Sequence, residues 1–127
     1  MKLPGLNAAL GCAQMLNLEK IIKMKRKIYY KYKDEFKNSN YFNLICEPKN
    51  SRSNYWLQNI KIKENNFYLR DHLIEFTNLK GFQTRPAWTL LHKLKHFKNC
   101  PKSDLTTSVN LFKRIISLPS SPNIIDN

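Results

Sequence analysis

The sequence predicts an α+β fold, in which a long N-terminal helix is followed by a small antiparallel or mixed sheet with flanking helices. Three observations lead to this prediction: a helical apolar rhythm over residues 4–36, a strand-type run over residues 53–63, and a second helical rhythm over residues 67–80. The 127 residues suffice for one domain with one hydrophobic core. We therefore expect a single small domain over residues 1–127.

The first element is predicted to be one continuous helix from Pro4 to about Phe36. Apolar residues recur there at intervals of three and four: Leu6, Leu10, Ala13, Leu16, Ile21, Met24 and Ile28. A helix of about 30 residues is roughly 45 Å long, which is long for a domain of this size. Its first turns carry small and apolar residues on more than one face. We therefore expect a neighbour outside these 127 residues to cover them.

Residues 53–85 are predicted to form a β-α-β unit. A strand-type run with partial alternation leads into a helix from Phe67 to Lys80, and Gly81 stands where a helix-ending glycine is expected. Phe82 to Arg85 then has the pattern of a returning strand, which Pro86 ends. A further short strand is expected at residues 41–46.

The remaining residues are predicted to contain two more helices and an extended tail. The short run LLHKLKHF, residues 90–97, and the longer run from Leu105 to Ile115 have helical patterns. The tail SLPSSPNIIDN, residues 117–127, is punctuated by proline and serine. We expect it to be extended along a surface.

Composition narrows the classes of function. The net charge is +13, but lysine far outnumbers arginine, which is typical of a lysine-biased proteome in which the extra charge solvates the surface. Nucleic-acid binding through KRKIYYKYK, residues 25–33, stays open as an alternative. No apolar run is long enough to span a membrane, so no membrane partner is expected. Three widely spaced cysteines indicate reduced thiols and a cytoplasmic protein.

The segment GFQTRPAWTLLHKL, residues 81–94, holds the side chains most suited to binding. Arg85 stands at a predicted strand end, fixed by Pro86 and followed by Trp88. A guanidinium group can bind a carboxylate or phosphate through two parallel hydrogen bonds, and a strand end presents it rigidly. The alternative is an arginine paired with a local acid, which spacing alone does not exclude.

A metal site is the second candidate in this part of the chain. His92, His96 and Cys100 follow one another at intervals of four, so a helix could present them together. Three lysines crowd the same segment, and Cys100 precedes a proline. We therefore expect surface histidines and no metal.

Four segments, in this order, resemble the DegT/StrS-type sugar aminotransferases: NAALGCAQ (7–14), NYW (54–56), TRPAWTLL (84–91) and LPSS (118–121). These are pyridoxal-phosphate enzymes of the aspartate-aminotransferase fold. The chain is similar above all to the LegC-like branch, which aminates nucleotide sugars on the way to legionaminic-type nonulosonic acids. The resemblance extends over nearly the whole chain.

The resemblance implies that this chain corresponds to the C-terminal small domain of such an enzyme, including the inter-domain helix at about 4–36. The family's N-terminal domain carries the cofactor, the lysine of the Schiff base and the aspartate that pairs with the pyridine nitrogen. None of these lies in the 127 residues, so we expect no catalytic residue and no pyridoxal phosphate bound by this chain alone. The complete reaction would move an amino group from a glutamate-like donor to a keto sugar nucleotide.

The resemblance also assigns roles to individual residues. Arg85, Trp88 and His92 would help to shape the nucleotide-sugar site. Lys2 stands where the family has a basic residue near the cofactor phosphate, although Gly5 replaces the usual polar residue. The expected protein partners are a separately encoded N-terminal aminotransferase half or a homodimer partner. Two hypotheses therefore stay open: a truncated aminotransferase that is inactive alone, and a subunit that complements a split enzyme.

Overall fold

The computed structural model describes residues 5–63 and 66–125, and it confirms the α+β fold. Four strands form one sheet in the order β1-β2-β4-β3, and each strand is antiparallel to its neighbours. The helices and strands are α1 (Gly5–Leu16), α2 (Leu18–Phe36), β1 (Phe42–Leu44), β2 (Gln58–Ile62), α3 (Leu69–Leu79), β3 (Arg85–Pro86), α4 (Thr106–Phe112) and β4 (Ile115–Leu118). Short 3-10 turns lie at Leu91–Lys93, Lys95–Phe97 and Pro122–Ile125.

The sheet has one covered face and one open face. Side chains alternate between the faces of a strand, and in β2 every second residue, Gln58, Ile60 and Ile62, is buried. Ile116 of β4 lies opposite Ile60, and these isoleucines form the core with side chains from α2 and α3. Both helices therefore pack on the same face of the sheet. The opposite face is not covered by any described helix of comparable length.

Strand β4 was not predicted from the sequence. The helix expected to reach Ile115 ends at Phe112, and the start of the expected surface tail is a central strand instead. Arg114 extends the pairing of this strand, because its carbonyl oxygen accepts from the Ile62 amide at 2.9 Å and its Nε donates to the Ile62 carbonyl at 2.9 Å. A run of four residues is too short to show an alternation that separates a strand from a helix end.

The predicted β-α-β unit is present, with other strand bounds and one change of order. Its second strand is Arg85–Pro86 and not Phe82–Arg85, so Pro86 belongs to the strand that it was predicted to end. Strands β2 and β3 are both antiparallel to β4, so they run parallel to each other with α3 between them in sequence. The later strand β4 lies between them, which makes the unit a split β-α-β. Gly81 ends the turn after α3 at φ +85°, as predicted, and the Phe82 amide donates to the Thr77 carbonyl at 2.9 Å.

The long N-terminal helix is divided at Asn17. The side-chain amide of Asn17 donates to the Ala13 carbonyl at 3.3 Å, a local hydrogen bond that competes with the helical backbone pattern. Helix α2 buries Ile28 and Tyr29, whereas α1 buries none of its residues. The predicted first residue of the helix, Pro4, lies outside the described residues.

The segment after Thr89 also differs from the prediction. The expected helix over residues 90–97 is a pair of 3-10 turns, because Leu94 between them has extended backbone angles. Helix α4 begins at Thr106, whose backbone amide donates to the Asp104 carboxylate at 3.1 Å.

Ile116→Ala should lower the free energy of unfolding by about 2–4 kcal/mol, because it leaves a cavity in the centre of the core. Ile115→Ala, on the open face one residue earlier, is the matched control and should cost less than about 1 kcal/mol. Urea unfolding followed by circular dichroism measures both. Equal losses of unfolding free energy from the two substitutions would show that Ile116 of β4 is not at the centre of the core.

Candidate functional site

Arg85 lies on the open face of the sheet, in a row of three polar residues. It is opposite Ser117 of β4, and Ser117 is opposite Asn59 of β2. The Ser117 hydroxyl donates to the Asn59 side-chain oxygen at 2.8 Å. This row exists only because β4 lies between the other two strands.

Two tryptophans stand beside this row. The ring centroids of Trp56 and Trp88 are 5.6 Å apart, and the ring planes are inclined at 59°. Trp56 is 60% exposed and Trp88 is 73% exposed. Trp88 lines one shallow cleft and Arg85 lines the next, and Leu57 and Ser117 belong to both. We call Arg85, Trp88, Trp56 and Ser117 the tryptophan–arginine corner.

Arg85 has no acidic partner in the part of the chain that the structure describes. The ion pairs found there join Arg26 to Glu47, Arg52 to Glu19 and Arg70 to Asp71. The alternative prediction, that a local acid neutralises Arg85, is therefore wrong for the described residues. An exposed guanidinium beside two exposed indoles can bind an anion and stack a flat or apolar ring at the same place.

Lys25 of α2 holds the loops that border the corner. Its ammonium group donates to the Ser120 carbonyl at 2.8 Å and to the Trp56 carbonyl at 3.1 Å, and the Ser120 hydroxyl donates to the same Trp56 carbonyl at 2.9 Å. Burial lowers the pKa of Lys25. Lys25, from a helix on the covered face of the sheet, thus fixes the backbone of Trp56 beside the open face.

The backbone at Tyr55 turns the chain toward the open face. Tyr55 is buried with φ +47°, a left-handed conformation that is uncommon for a residue with a large side chain. Its ring stacks on Tyr29 with centroids 4.1 Å apart, and the Arg26 guanidinium lies 5.2 Å from its centre. This packing holds the strained conformation in place, and the next residue, Trp56, emerges at the corner.

A two-point ion pair fixes the preceding loop to α2. Arg26 donates to the two carboxylate oxygens of Glu47 at 2.8 and 3.3 Å, and the Ser53 amide donates to the same carboxylate at 2.7 Å. The Arg26 hydrogen bond, and then that from Ser53, hold the pKa of Glu47 below its ordinary value. The loop that leads to Tyr55 and Trp56 is therefore held at both of its ends.

The structure separates His92 from the other two predicted substrate-binding residues. Arg85 and Trp88 line two clefts that share Leu57 and Ser117, whereas His92 lies in the first 3-10 turn and lines another cleft with Phe97 and Cys100. His96 is not among the residues that line that cleft. Within residues 5–63 and 66–125, no group of three His, Cys, Asp or Glu side chains is placed to hold a metal ion. Lys2 lies outside the described residues.

Sequence reasoning gave no role to Trp56, Ser117 or Lys25. Trp56 was read only as part of a strand, although it belongs to the NYW segment that carries the resemblance. Ser117 could not be found without β4. Lys25 looked like one of many surface lysines, and nothing in its sequence context marks it as half-buried.

The model of the DegT/DnrJ/EryC1/StrS aminotransferase family matches residues 1–127. The chain belongs to this family. It is similar to a GDP-perosamine synthase from Vibrio cholerae, with 29% identity over 127 residues, which cover 99% of this chain and 34% of that protein. The family membership confirms the resemblance read from the four sequence segments.

Solved structures agree on the fold. Helicobacter pylori PseC, an aminotransferase involved in pseudaminic acid biosynthesis, superimposes with a TM-score of 0.88 at 18% identity, covering 98% of this chain and 34% of PseC. The Escherichia coli GDP-4-keto-6-deoxy-D-mannose-3-dehydratase with bound hydrated PLP has a TM-score of 0.74 at 24% identity, covering 90% of this chain and 30% of the enzyme. The chain thus spans about a third of the length of these relatives. None of its described helices is long and apolar enough to cross a membrane.

Neither Lys25 nor the groove lysines Lys20, Lys23 and Lys27 fit a pyridoxal-phosphate site. Such a site needs a lysine amine at the aldehyde and an acid at the pyridine nitrogen. The half-buried Lys25 is engaged by two carbonyl oxygens, and the groove lined by Lys20, Lys23 and Lys27 contains no carboxylate. We therefore derive no catalytic step through the cofactor on this chain.

The free energy of unfolding should depend on the protonation of Glu47. Because the folded pKa is lowered, the ion pair stabilises the fold above the ordinary glutamate pKa of about 4.3, and this stabilisation is lost as the pH falls through the lower folded pKa. Urea unfolding at pH 7 and at about pH 3 measures the difference.

Glu47→Gln should flatten this acid-side loss, since it removes the titrating group. Glu75→Gln changes an exposed glutamate that makes no ion pair among the described residues, and it should leave the pH profile close to that of the parent chain. If Glu47→Gln leaves the profile unchanged, the Arg26–Glu47 pair does not stabilise the loop.

Proposed function

We propose that these 127 residues are the C-terminal small-domain part of a pyridoxal-phosphate-dependent nucleotide-sugar aminotransferase, and that these residues do not catalyse amino transfer alone. The observation that carries this proposal is the family match over the whole chain, combined with a coverage of only about a third of each relative. In the complete enzyme, an amino group would pass from a glutamate-like donor to a keto sugar nucleotide.

The tryptophan–arginine corner is the part of this chain that we assign to the substrate. Arg85 carries an exposed positive charge without a described acidic partner, and the two indoles beside it offer apolar faces. A nucleotide sugar has both matching parts, because its diphosphate is anionic and its base and sugar present flat or apolar faces. His92 would contribute from the cleft that it lines with Phe97 and Cys100. The chain's own residues thus bind and orient substrate, and the covalent chemistry belongs to residues outside it.

Two features of the relatives define the reaction only in outline. One relative with this fold makes GDP-perosamine and another is a dehydratase that holds PLP, so the family accommodates both amino transfer and dehydration. We place this chain with the aminotransferases because the sequence segments resemble that branch. Three exposed cysteines without a disulfide fit a reducing, cytoplasmic location.

A second candidate function is that of a subunit that complements a separately encoded cofactor domain. Such a domain would cover α1, which exposes four large apolar residues and buries none of its own. Co-purification with such a polypeptide, and activity only in the mixture, would support this candidate over a chain that has lost its function.

Pyridoxal phosphate added to the purified chain should give no saturable, one-per-chain band in the visible absorbance spectrum that borohydride reduces. Surface lysines can trap the aldehyde at random, so the measurement must separate a single saturable site from slow, unsaturating labelling. An equal concentration of lysine-rich protein without a cofactor site is the control. A stoichiometric, reducible band would overturn the proposal that the chain lacks its own cofactor site.

Arg85→Gln should weaken binding of GDP-perosamine by about 10- to 100-fold, because it removes a charge-assisted, two-point hydrogen bond. The fluorescence of Trp56 and Trp88 reports binding directly. Arg52→Gln changes an exposed arginine elsewhere on the surface and is the matched control, with less than a twofold effect expected. Equal affinities for the parent chain and Arg85→Gln would remove the corner from the substrate site.

A further inference from the structure

Arg85 lies in a strand that is too short to fix its position by pairing alone. Strand β3 consists of Arg85 and Pro86, which lie opposite Ser117 and Ile116 of β4. Pro86 has no amide hydrogen, so the backbone of β3 has one donor at most for the ladder with β4. Contacts outside the sheet must therefore help to hold Arg85 in the polar row.

The last turn of α3 supplies such a contact through the residue before Arg85. The side-chain amide of Asn78 donates to the Thr84 carbonyl at 2.9 Å and to the Ile74 carbonyl of its own helix at 2.7 Å. The Thr84 carbonyl belongs to the peptide group that joins Thr84 to Arg85. Asn78 thus holds the backbone that enters β3 against α3.

The side chain of Thr84 is fastened to the same turn. Thr84 is 5% exposed, and its hydroxyl is hydrogen-bonded to the Thr77 hydroxyl. The Thr77 hydroxyl donates to the Leu73 carbonyl at 2.8 Å, so the hydrogen between the two hydroxyls comes from Thr84. Neighbouring side chains of an extended chain point to opposite sides. A Thr84 side chain anchored on α3 therefore directs Arg85 to the open face.

These anchoring groups lie outside the clefts of the tryptophan–arginine corner. Thr77, Asn78 and Thr84 are not among the residues that line the cleft of Arg85 or the cleft of Trp88. Any effect of these three residues on a ligand in either cleft must therefore pass through Arg85.

We propose that Asn78 and Thr84 are positioning residues, which hold Arg85 in place for the anionic part of the substrate. The inference rests on the proposed function, because it takes the corner as the substrate site. An arginine that is held in place before the ligand arrives loses less conformational freedom on binding, which favours affinity. The threonine of the TRPAWTLL segment then serves the site from the covered face of the sheet.

Thr84→Val tests the hydroxyl, because valine has nearly the same shape and cannot donate to Thr77. It should weaken binding of GDP-perosamine by about three- to tenfold, the effect expected for one hydrogen bond. Thr84→Ser keeps the hydroxyl and should weaken binding less than about twofold. If Thr84 only filled space, serine would be the more harmful substitution, since it loses a methyl group. The fluorescence of the two tryptophans measures each affinity.

Thr107→Val is the matched control for the valine variant. Thr107 is an exposed threonine of α4 that lines neither cleft of the corner, so the same chemical change should alter binding less than about twofold. Thermal unfolding verifies that each variant is folded.

Nuclear magnetic resonance relaxation of the ligand-free chain tests the position of Arg85 without a substrate. The order parameter of the Arg85 backbone amide should be near the rigid value of about 0.85 in the parent chain and in Thr84→Ser. It should fall by about 0.1 or more in Thr84→Val. Failure of the parent chain to bind GDP-perosamine would count against the proposed function, whereas this comparison decides the positioning of Arg85 independently.

Asn78→Ala is a second variant, which removes an exposed side chain and leaves the core intact. It should lower the Arg85 order parameter and weaken binding in the same direction as Thr84→Val. Asn99→Ala, also at an exposed asparagine, should change neither. The proposal is wrong if Thr84→Ser weakens binding as much as Thr84→Val. It is also wrong if Arg85 keeps its order parameter in both Thr84→Val and Asn78→Ala.

Discussion

The insertion of β4 between β2 and β3 is the constraint on which the rest of the structure depends. Ile116, at 1% exposure, closes the core from the covered face, and its neighbour Ser117 joins Arg85 to Asn59 across the open face. One four-residue strand thus supplies both the apolar centre and the polar row of the candidate site. Because side chains alternate along a strand, a shift of one residue would exchange the two faces and lose both.

Helix α2 connects the two layers. Its buried side packs on the sheet, and its polar groups hold the loops on either side of the corner through Lys25, Arg26 and Tyr32, whose hydroxyl donates to the Pro119 carbonyl at 2.9 Å. These hydrogen bonds end on backbone carbonyls, so they fix the path of the chain, and the side chains at the corner stay free to meet a ligand. The unusual backbone at Tyr55 belongs to the same arrangement, since its ring is clamped between Tyr29 and Arg26.

Local patterns predicted much of this fold. The apolar rhythm predicted α2 and α3, and Gly81 predicted the end of α3. The returning strand was predicted too early, over Phe82–Arg85, whereas the structure has Arg85–Pro86. The pairing of β4 with β2 and β3 could not be predicted from local patterns. The four residues of β4 are recognisable as a strand only when β2 and β3 lie beside them. The contact between the rings of Trp56 and Trp88 depends on tertiary structure as well. The resemblance to sugar aminotransferases anticipated the family. It assigned Arg85, Trp88 and His92 to one site, whereas His92 lines a different cleft from the other two.

The central claim is that the packed α/β unit around β4 is the stable part of these residues and that α1 buries none of its side chains in it. Amide hydrogen exchange of the isolated chain, resolved by residue, tests it most directly. The account predicts slow exchange at the paired amides of β2 and β4, with protection near that of global unfolding, and fast exchange through Gly5–Leu16. Protection of α1 equal to that of β4 in the isolated chain would contradict it, since α1 buries none of its residues against that unit.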